Sequence, residues 1–374
     1  MLKAPDPVAT APGTDTNSKM KRTILRALIG AVVLLFAYLL LWPAPLNPVA
    51  WTPPPAPELT GIYAQNSELA KIERLRIDGD KPEDVAIDSQ DRIYCGDDRG
   101  RIYRFQPDGA KPELFADTKG RPLGLVFDAA GNLIVADAIA GLLSIAPNGQ
   151  LTTLATEADH TPFRCANDLD VAADGTIYFT DASYKFPLTD LKADLLEHQP
   201  NGRFLSYDPK TGQTKTLLRD LYFANGVAVS PDQTFVLVND TGAYRVRRYW
   251  LKGEKAGQSD VFIDNLPGFP DGISSNGKDT FWLALVNRRD AGLDWLMPHP
   301  FLRKIVWRLP NFLQPNIKRY AFVLGLDVNG KVVRNLQDPS PQCFTQIANV
   351  VEHKGNLYFG SIGESAIGRM PVPK

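Results

Sequence analysis

The sequence predicts an all-β fold, a six-bladed β-propeller with helical insertions, preceded by a single N-terminal transmembrane helix. Three observations predict it. A short phrase recurs: Pro82-Glu-Asp-Val-Ala-Ile87, Ala166-Asn-Asp-Leu-Asp-Val171, Ala224-Asn-Gly-Val-Ala-Val229 and Pro270-Asp-Gly-Ile273. Six runs rich in β-branched and aromatic residues each follow a polar turn. One apolar stretch near the N-terminus, Ala27 to Trp42, follows a cluster of basic residues.

The β-rich runs are Arg92-Ile-Tyr-Cys-Gly, Asn132-Leu-Ile-Val-Ala, Thr176-Ile-Tyr-Phe-Thr, Thr234-Phe-Val-Leu-Val, Thr280-Phe-Trp-Leu-Ala and Asn356-Leu-Tyr-Phe-Gly. Their turns include Ala130-Gly, Ala173-Asp-Gly and Pro231-Asp-Gln. Further strands such as Gly100-Arg-Ile-Tyr-Arg-Phe fill in a unit of about four strands, repeated about six times. Closing such units into a ring removes exposed sheet edges. Residues 69–77, with alternating Ile72, Leu75 and Ile77, supply a strand that closes the ring beside the last unit. A β-sandwich is the competing arrangement, and the repeat favours the propeller.

Composition excludes some classes. Hydrophobic residues at 44% and charged residues at 22% describe a globular chain. A net charge of −1 argues against a nucleic-acid partner, which would demand a basic excess. Cys95, Cys165 and Cys343 are too few for a disulfide framework, although an oxidising compartment would permit one bond.

The domain reading starts with a polar tail, residues 1–23, of which residues 1–18 are taken as disordered. Residues 24–42 form a transmembrane signal anchor, and their length approaches the ~17–25 residues that cross a bilayer. A cleaved signal peptide is the rival, but no small-x-small cleavage site closes the run. Lys19, Lys21, Arg22 and Arg26 precede the span, which places the N-terminus in the cytoplasm and the propeller on the periplasmic, lumenal or extracellular side. Residues 43–59 are a Pro-rich linker, read as a stiff spacer that lifts the domain off the membrane. The propeller occupies 60–374, with insertions at 184–201 and 286–320. The first is helix-like from Leu188 to Glu197. The second mixes Trp295, Phe301, Trp307 and Phe312 with Arg303, Lys304 and Arg308, as an interfacial helix, a lid or a buried insertion would.

In a propeller the first strand of each unit lines the axis, so equal phase in the repeat means equal depth. At the second position of the phrase the six units carry Glu83, Leu123, Asn167, Asn225, Asp271 and Ala348. Glu83, Asn167, Asn225 and Asp271 thus converge as oxygen ligands for a hard divalent cation, and calcium suits ligands drawn from separate blades. Asp84 and Asp168, one residue later, would support the ligands, hold a second metal, or bond neighbouring backbone amides. The histidines and cysteines show no zinc spacing. No Gly-x-Ser-x-Gly elbow or phosphate loop occurs.

These phrases, with Tyr178-Phe-Thr-Asp-Ala-Ser183, Gly202-Arg-Phe-Leu-Ser-Tyr-Asp-Pro209 and Pro298-His-Pro-Phe-Leu-Arg-Lys304, resemble the strictosidine synthase-like proteins over roughly residues 60–374. The resemblance is closest to the anchored branch of the adipocyte plasma membrane-associated protein, within the gluconolactonase, regucalcin and paraoxonase superfamily. It implies a six-bladed propeller with an axial calcium, whose ligand pattern maps onto Glu83, Asn167, Asn225 and Asp271. The catalytic glutamate of the alkaloid-forming synthases falls at Ala348, so their condensation is not expected. Pro122-Leu123-Gly124 likewise replaces the paraoxonase-type histidine.

The expected function is a membrane-anchored, calcium-dependent hydrolase of hydrophobic esters or lactones, with Asp271 as general base. A non-catalytic propeller with a structural metal that binds a lipid or partner protein is the alternative. A lyase or condensing enzyme is the weaker one.

Overall fold

The two ends of the domain meet in one sheet. Strand Glu73–Arg76 pairs antiparallel with Ala366–Pro371, which continues through Asn356–Ser361 to Ile347–His353. The computed structural model describes residue 4 and residues 14–110, 112–315 and 318–373. Five more four-stranded antiparallel sheets complete a six-bladed β-propeller, with innermost strands Val85–Ile87, Pro122–Phe127, Ala166–Val171, Ala224–Val229 and Gly268–Ser275. The six β-rich runs seen in the sequence are the second strands of the six blades. The closing strand falls inside the segment expected to supply it.

Hydrophobic packing is divided among the seams. Between the fourth and fifth blades Phe235, Leu237 and Val246 meet Ile273, Phe281, Leu283 and Phe322. Between the second and third, Ile134 and Ala136 meet Leu169, Phe179 and Leu205. Each buried large side chain contributes roughly 1.5–3 kcal/mol, so face-to-face apolar contacts between blades hold much of the ring together.

A second repeat, not noticed in the sequence, sits at the end of the second strands: Asp97, Asp137, Asp181 and Asp240. Three of these carboxylates reach across to the chain entering their own blade. Asp137 accepts from the Arg121 N–H (2.9 Å), Asp181 from Cys165 N–H (2.8 Å) and Asp240 from Tyr222 N–H (2.7 Å). They fix the start of each inner strand, two or three residues before the axial position.

Helix α1 spans Thr14–Leu41, so it begins ten residues before the expected span and takes in the end of the segment expected to be disordered. The rest of that tail, apart from residue 4, lies outside the described residues. Residues Ser18–Leu41 are long and apolar enough to cross a membrane. Both insertions join a second strand to a third. The first carries helix α2 (Leu191–Glu197), and the second carries α3 (Ala291–Leu296) and α4 (Pro300–Arg308). In an antiparallel blade the second strand ends where the first begins. Both insertions therefore stand at the axial end where the inner strands start.

The Pro-rich segment is not a free spacer. Leu46 is buried with Phe186, Leu196 and Leu296. Val49 N–H bonds the Glu197 carbonyl (3.0 Å), and Arg289 holds the Pro54 carbonyl (2.6 Å). Trp51 stacks on His198 (centroids 4.1 Å apart), which stacks in turn on Tyr222 (4.5 Å). The fully buried Arg303 of α4 bonds the Leu196 and Val49 carbonyls, tying both insertions and the strap together. Composition suggested an extended chain. Carbonyl acceptors without competing N–H donors, which prolines supply, let that extended chain dock instead.

The disulfide allowed by the sequence does not form: Cys95, Cys165 and Cys343 are free and buried.

Candidate functional site

The register inferred from the repeat is the observed one. Glu83, Leu123, Asn167, Asn225, Asp271 and Ala348 line a single narrow cavity on the axis, of about 10 Å³, room for one water or one ion. Asn225 Nδ2 donates to Asp271 Oδ1 (2.5 Å). Arg121 Nη2 donates to Glu83 Oε2 (3.0 Å). Burial, then the charge of Glu83, push the Asp271 carboxyl well above its usual range, against the opposing hydrogen bond from Asn225. Burial also raises Glu83, and Arg121 opposes this.

Arg121 is the residue that sequence reasoning missed. It is buried, it pairs with Glu83, and its Nη1 has no hydrogen-bond partner among the described residues. A signal existed, because two positions before the axial residue the first and second blades carry Lys81 and Arg121.

Asp84 and Asp168 are brought to the same level but turned to another task. Asp84 accepts from Val85 N–H and, in the next blade, Leu125 N–H (2.7 Å); Asn349 also donates to it. Asp168 accepts from Leu169 N–H and, in the next blade, Val227 N–H (2.9 Å). The backbone-amide alternative thus accounts for both side chains, which staple neighbouring blades. Where the same phase carries Gly226, a Cβ would lie 2.5 Å from the Asp271 carbonyl oxygen. Glycine there permits the close approach that the aspartates replace elsewhere. Burial pushes Asp84 up to about 7. At the other end of the channel a cavity of about 230 Å³ is lined by Asp84, Asp168, Asp170, Ser274, Asn349 and His353.

Leu123 and Phe223 at the axial mouth pack with Leu188, Leu191 and Leu195 of the first insertion, so an apolar cover adjoins the oxygen ring. Within that insertion Asp194 is buried and accepts from Ser183 (2.9 Å) and Asn201 (2.7 Å) through one oxygen, Oδ1. Burial pushes its carboxyl up to about 7 from 3.8. A raised acid contributes stability fully present below its unfolded pKa and lost as pH rises to the folded value. Asp194→Asn, which keeps the accepting oxygen, should therefore be more stable than the parent at pH 8 by about 2–4 kcal/mol, with the difference shrinking towards pH 4. Urea denaturation of both proteins at the two pH values checks this.

The donor set fits a hard cation. Beyond the bonds above, Glu83 Oε1, Asp271 Oδ2 and the side-chain oxygens of Asn167 and Asn225 accept no hydrogen bond among the described residues. Two carboxylates and two amides around a volume of one ion match part of the roughly six to eight oxygens that calcium takes, leaving the remaining positions to water or a ligand. Among the described residues no group of three His, Cys, Asp or Glu forms a metal cluster, so only an amide-containing set is available.

With this geometry in place, comparison places the chain. Residues 167–254 match the strictosidine synthase family and residues 61–105 the N-terminal region of the strictosidine synthase-like family. The protein strictosidine synthase-like 6 of Arabidopsis thaliana is 38% identical over 300 residues, 78% of this chain and 79% of that protein. The chain belongs to the strictosidine synthase-like family. The adipocyte plasma membrane-associated protein of Rattus norvegicus is 32% identical over 94% of this chain and 99% of its own length. Among solved structures, a gluconolactonase from Xanthomonas campestris superposes with a TM-score of 0.60 at 18% identity, covering 88% of this chain and 99% of that one. The calcium-binding regucalcin of Agrobacterium tumefaciens gives 0.56 at 15% identity, over 79% and 92%. Both share the propeller fold.

Proposed function

We propose that this strictosidine synthase-like protein is a membrane-anchored, calcium-dependent hydrolase of hydrophobic esters or lactones. The observation that carries the reading is the convergence of Glu83, Asn167, Asn225 and Asp271 on one ion-sized axial cavity beneath an apolar cover. Its structural neighbours include a gluconolactonase and a calcium-binding regucalcin, which supports the same chemistry. Calcium held by Glu83, Asn167, Asn225 and Asp271 would polarise a substrate carbonyl and hold Asp271 ionised.

The protein's own residues divide the remaining work. Asp271 Oδ2, free of protein donors, takes the proton of the attacking water as general base. Asn225 orients that carboxylate through its bond to Oδ1. Arg121 neutralises Glu83 and keeps it facing the axis. Leu123, Phe223 and the leucines of the first insertion receive the apolar part of the substrate and exclude bulk water. Lys19, Lys21, Arg22 and Arg26, in the N-terminal half of α1, favour a cytoplasmic N-terminus with the propeller on the opposite side.

Calcium titration of the purified chain tests the metal. Binding of one calcium is expected to raise the melting temperature, and at a free calcium 100-fold above Kd the gain is about 2.7 kcal/mol. A melting temperature indifferent to both calcium and chelator would remove the ion from the reading.

The Arg121–Glu83 pair favours a second reading. A guanidinium already neutralising one ring carboxylate suits a non-catalytic propeller whose metal is structural or absent. This reading expects no turnover across an arylester and lactone panel, whatever calcium does to stability.

A further inference from the structure

The far end of the anchor does not leave the domain alone. Arg308 Nη1 of α4 donates to the Leu39 carbonyl (2.6 Å), and Tyr38 Oη of α1 donates to the Arg308 carbonyl (3.2 Å). The apolar stretch of α1 is otherwise exposed on all sides and ends at Leu41, followed by the exposed Trp42. The apolar part of α1, Ile24 to Leu41, rises about 27 Å, close to a ~30 Å hydrocarbon core, so its last turn lies at the membrane–water boundary. Whatever is bonded to Tyr38 and Leu39 lies at that boundary too.

The part bonded there carries a cluster of exposed apolar side chains. Phe312 is 78% exposed, Trp295 62%, Leu313 58% and Phe301 56%, all within 19 residues of one insertion. On α4 the residues split by helical phase. Leu302, Val306 and Trp307 pack inward against α2 and the strap, and Arg303 is buried with them. Phe301, Lys304 and Ile305 fall on the opposite face, beside Arg308 and therefore beside α1. Aromatic and basic side chains on the outward face of a short helix, at headgroup depth, are the composition of an interfacial helix.

We infer that α3, α4 and Phe312–Leu313 form a second membrane contact, seated in the interface of the bilayer that α1 crosses, with the axial mouth turned towards lipid. The ring of oxygen donors opens at the end that carries this insertion. A substrate dissolved in the membrane then reaches the site without crossing bulk water. The inference rests on α1 being a membrane span and is independent of whether the site hydrolyses anything.

The experiment uses the full chain in phospholipid vesicles, with single cysteines introduced at Phe301, Phe312, Val33 or Glu254 and labelled with an environment-sensitive fluorophore. The three native cysteines are buried and stay unlabelled in the folded protein. Glu254 lies in an exposed turn between third and fourth strands, at the opposite end of the propeller. Labels at 301 and 312 are expected to be quenched several-fold more by nitroxide lipids than the label at 254, and less by aqueous iodide. The label at 33 should respond to deeper nitroxides. Quenching at 33 with none above the 254 level at 301 and 312 would overturn the second contact while leaving the span intact. Labels at 301 and 312 shielded from both quenchers would mean a protein or a second copy covers the face, and would overturn it equally. No lipid quenching at 33 would remove the span and the inference together.

Discussion

Asp271→Asn is expected to lower ester or lactone turnover by about 10²–10⁴-fold, the share that a positioned general base contributes. The substitution isolates chemistry from folding. Asparagine keeps an oxygen where Asp271 Oδ1 accepts from Asn225. Burial already holds the Asp271 carboxyl well above its ordinary range, so without calcium the fold disfavours its charged form. An amide of the same shape should then leave the melting temperature in chelator unchanged. The rise on adding calcium should shrink, because one of two ligand charges is gone. Turnover equal to the parent's would exclude Asp271 as the base.

Arg203→Met is expected to destabilise the domain by about 3–5 kcal/mol, the cost of leaving a buried carboxylate without its partner. Arg203 and Asp181 are both fully buried, 2.7 Å apart. Arg203 also holds the carbonyls of Thr161 and Pro162. The other Asp181 oxygen receives the N–H groups of Arg164 and Cys165, just ahead of Asn167. Loss of the arginine should thus weaken calcium binding as well as stability. Removing the stranded charge in Asp181→Asn/Arg203→Met should recover part of the stability, which equilibrium denaturation of the single and double variants measures. A single variant within 1 kcal/mol of the parent would refute the account.

The blade count, the closing strand and the four axial donors were legible because each is written several times over. Repetition made Glu83, Asn167, Asn225 and Asp271 stand out from turn-forming asparagines and aspartates that look identical singly. Arg121 occurs once at its phase as a buried partner, and its pairing crosses from one blade to another, so no local pattern marks it. The aspartates at the ends of the second strands did repeat, but inside runs read only for strand content. The Pro-rich segment misled for a different reason. Its composition fixes an extended backbone yet says nothing about Trp51 meeting His198 or Val49 meeting Arg303, partners some 150 to 250 residues away. Docking of that kind is a tertiary fact. The start of α1 was missed because polar, small residues weaken helix signals without forbidding the helix.

The seam between Glu73–Arg76 and Ala366–Pro371 has a consequence for biosynthesis. The earlier strand leaves the ribosome almost 300 residues before its mate, after α1 and the Pro-rich segment. Throughout that interval its edge has no native partner, a template for misassociation with another nascent chain. A stop codon shortly before Ala366 would spare α1 and every axial donor, yet leave the circle unable to latch.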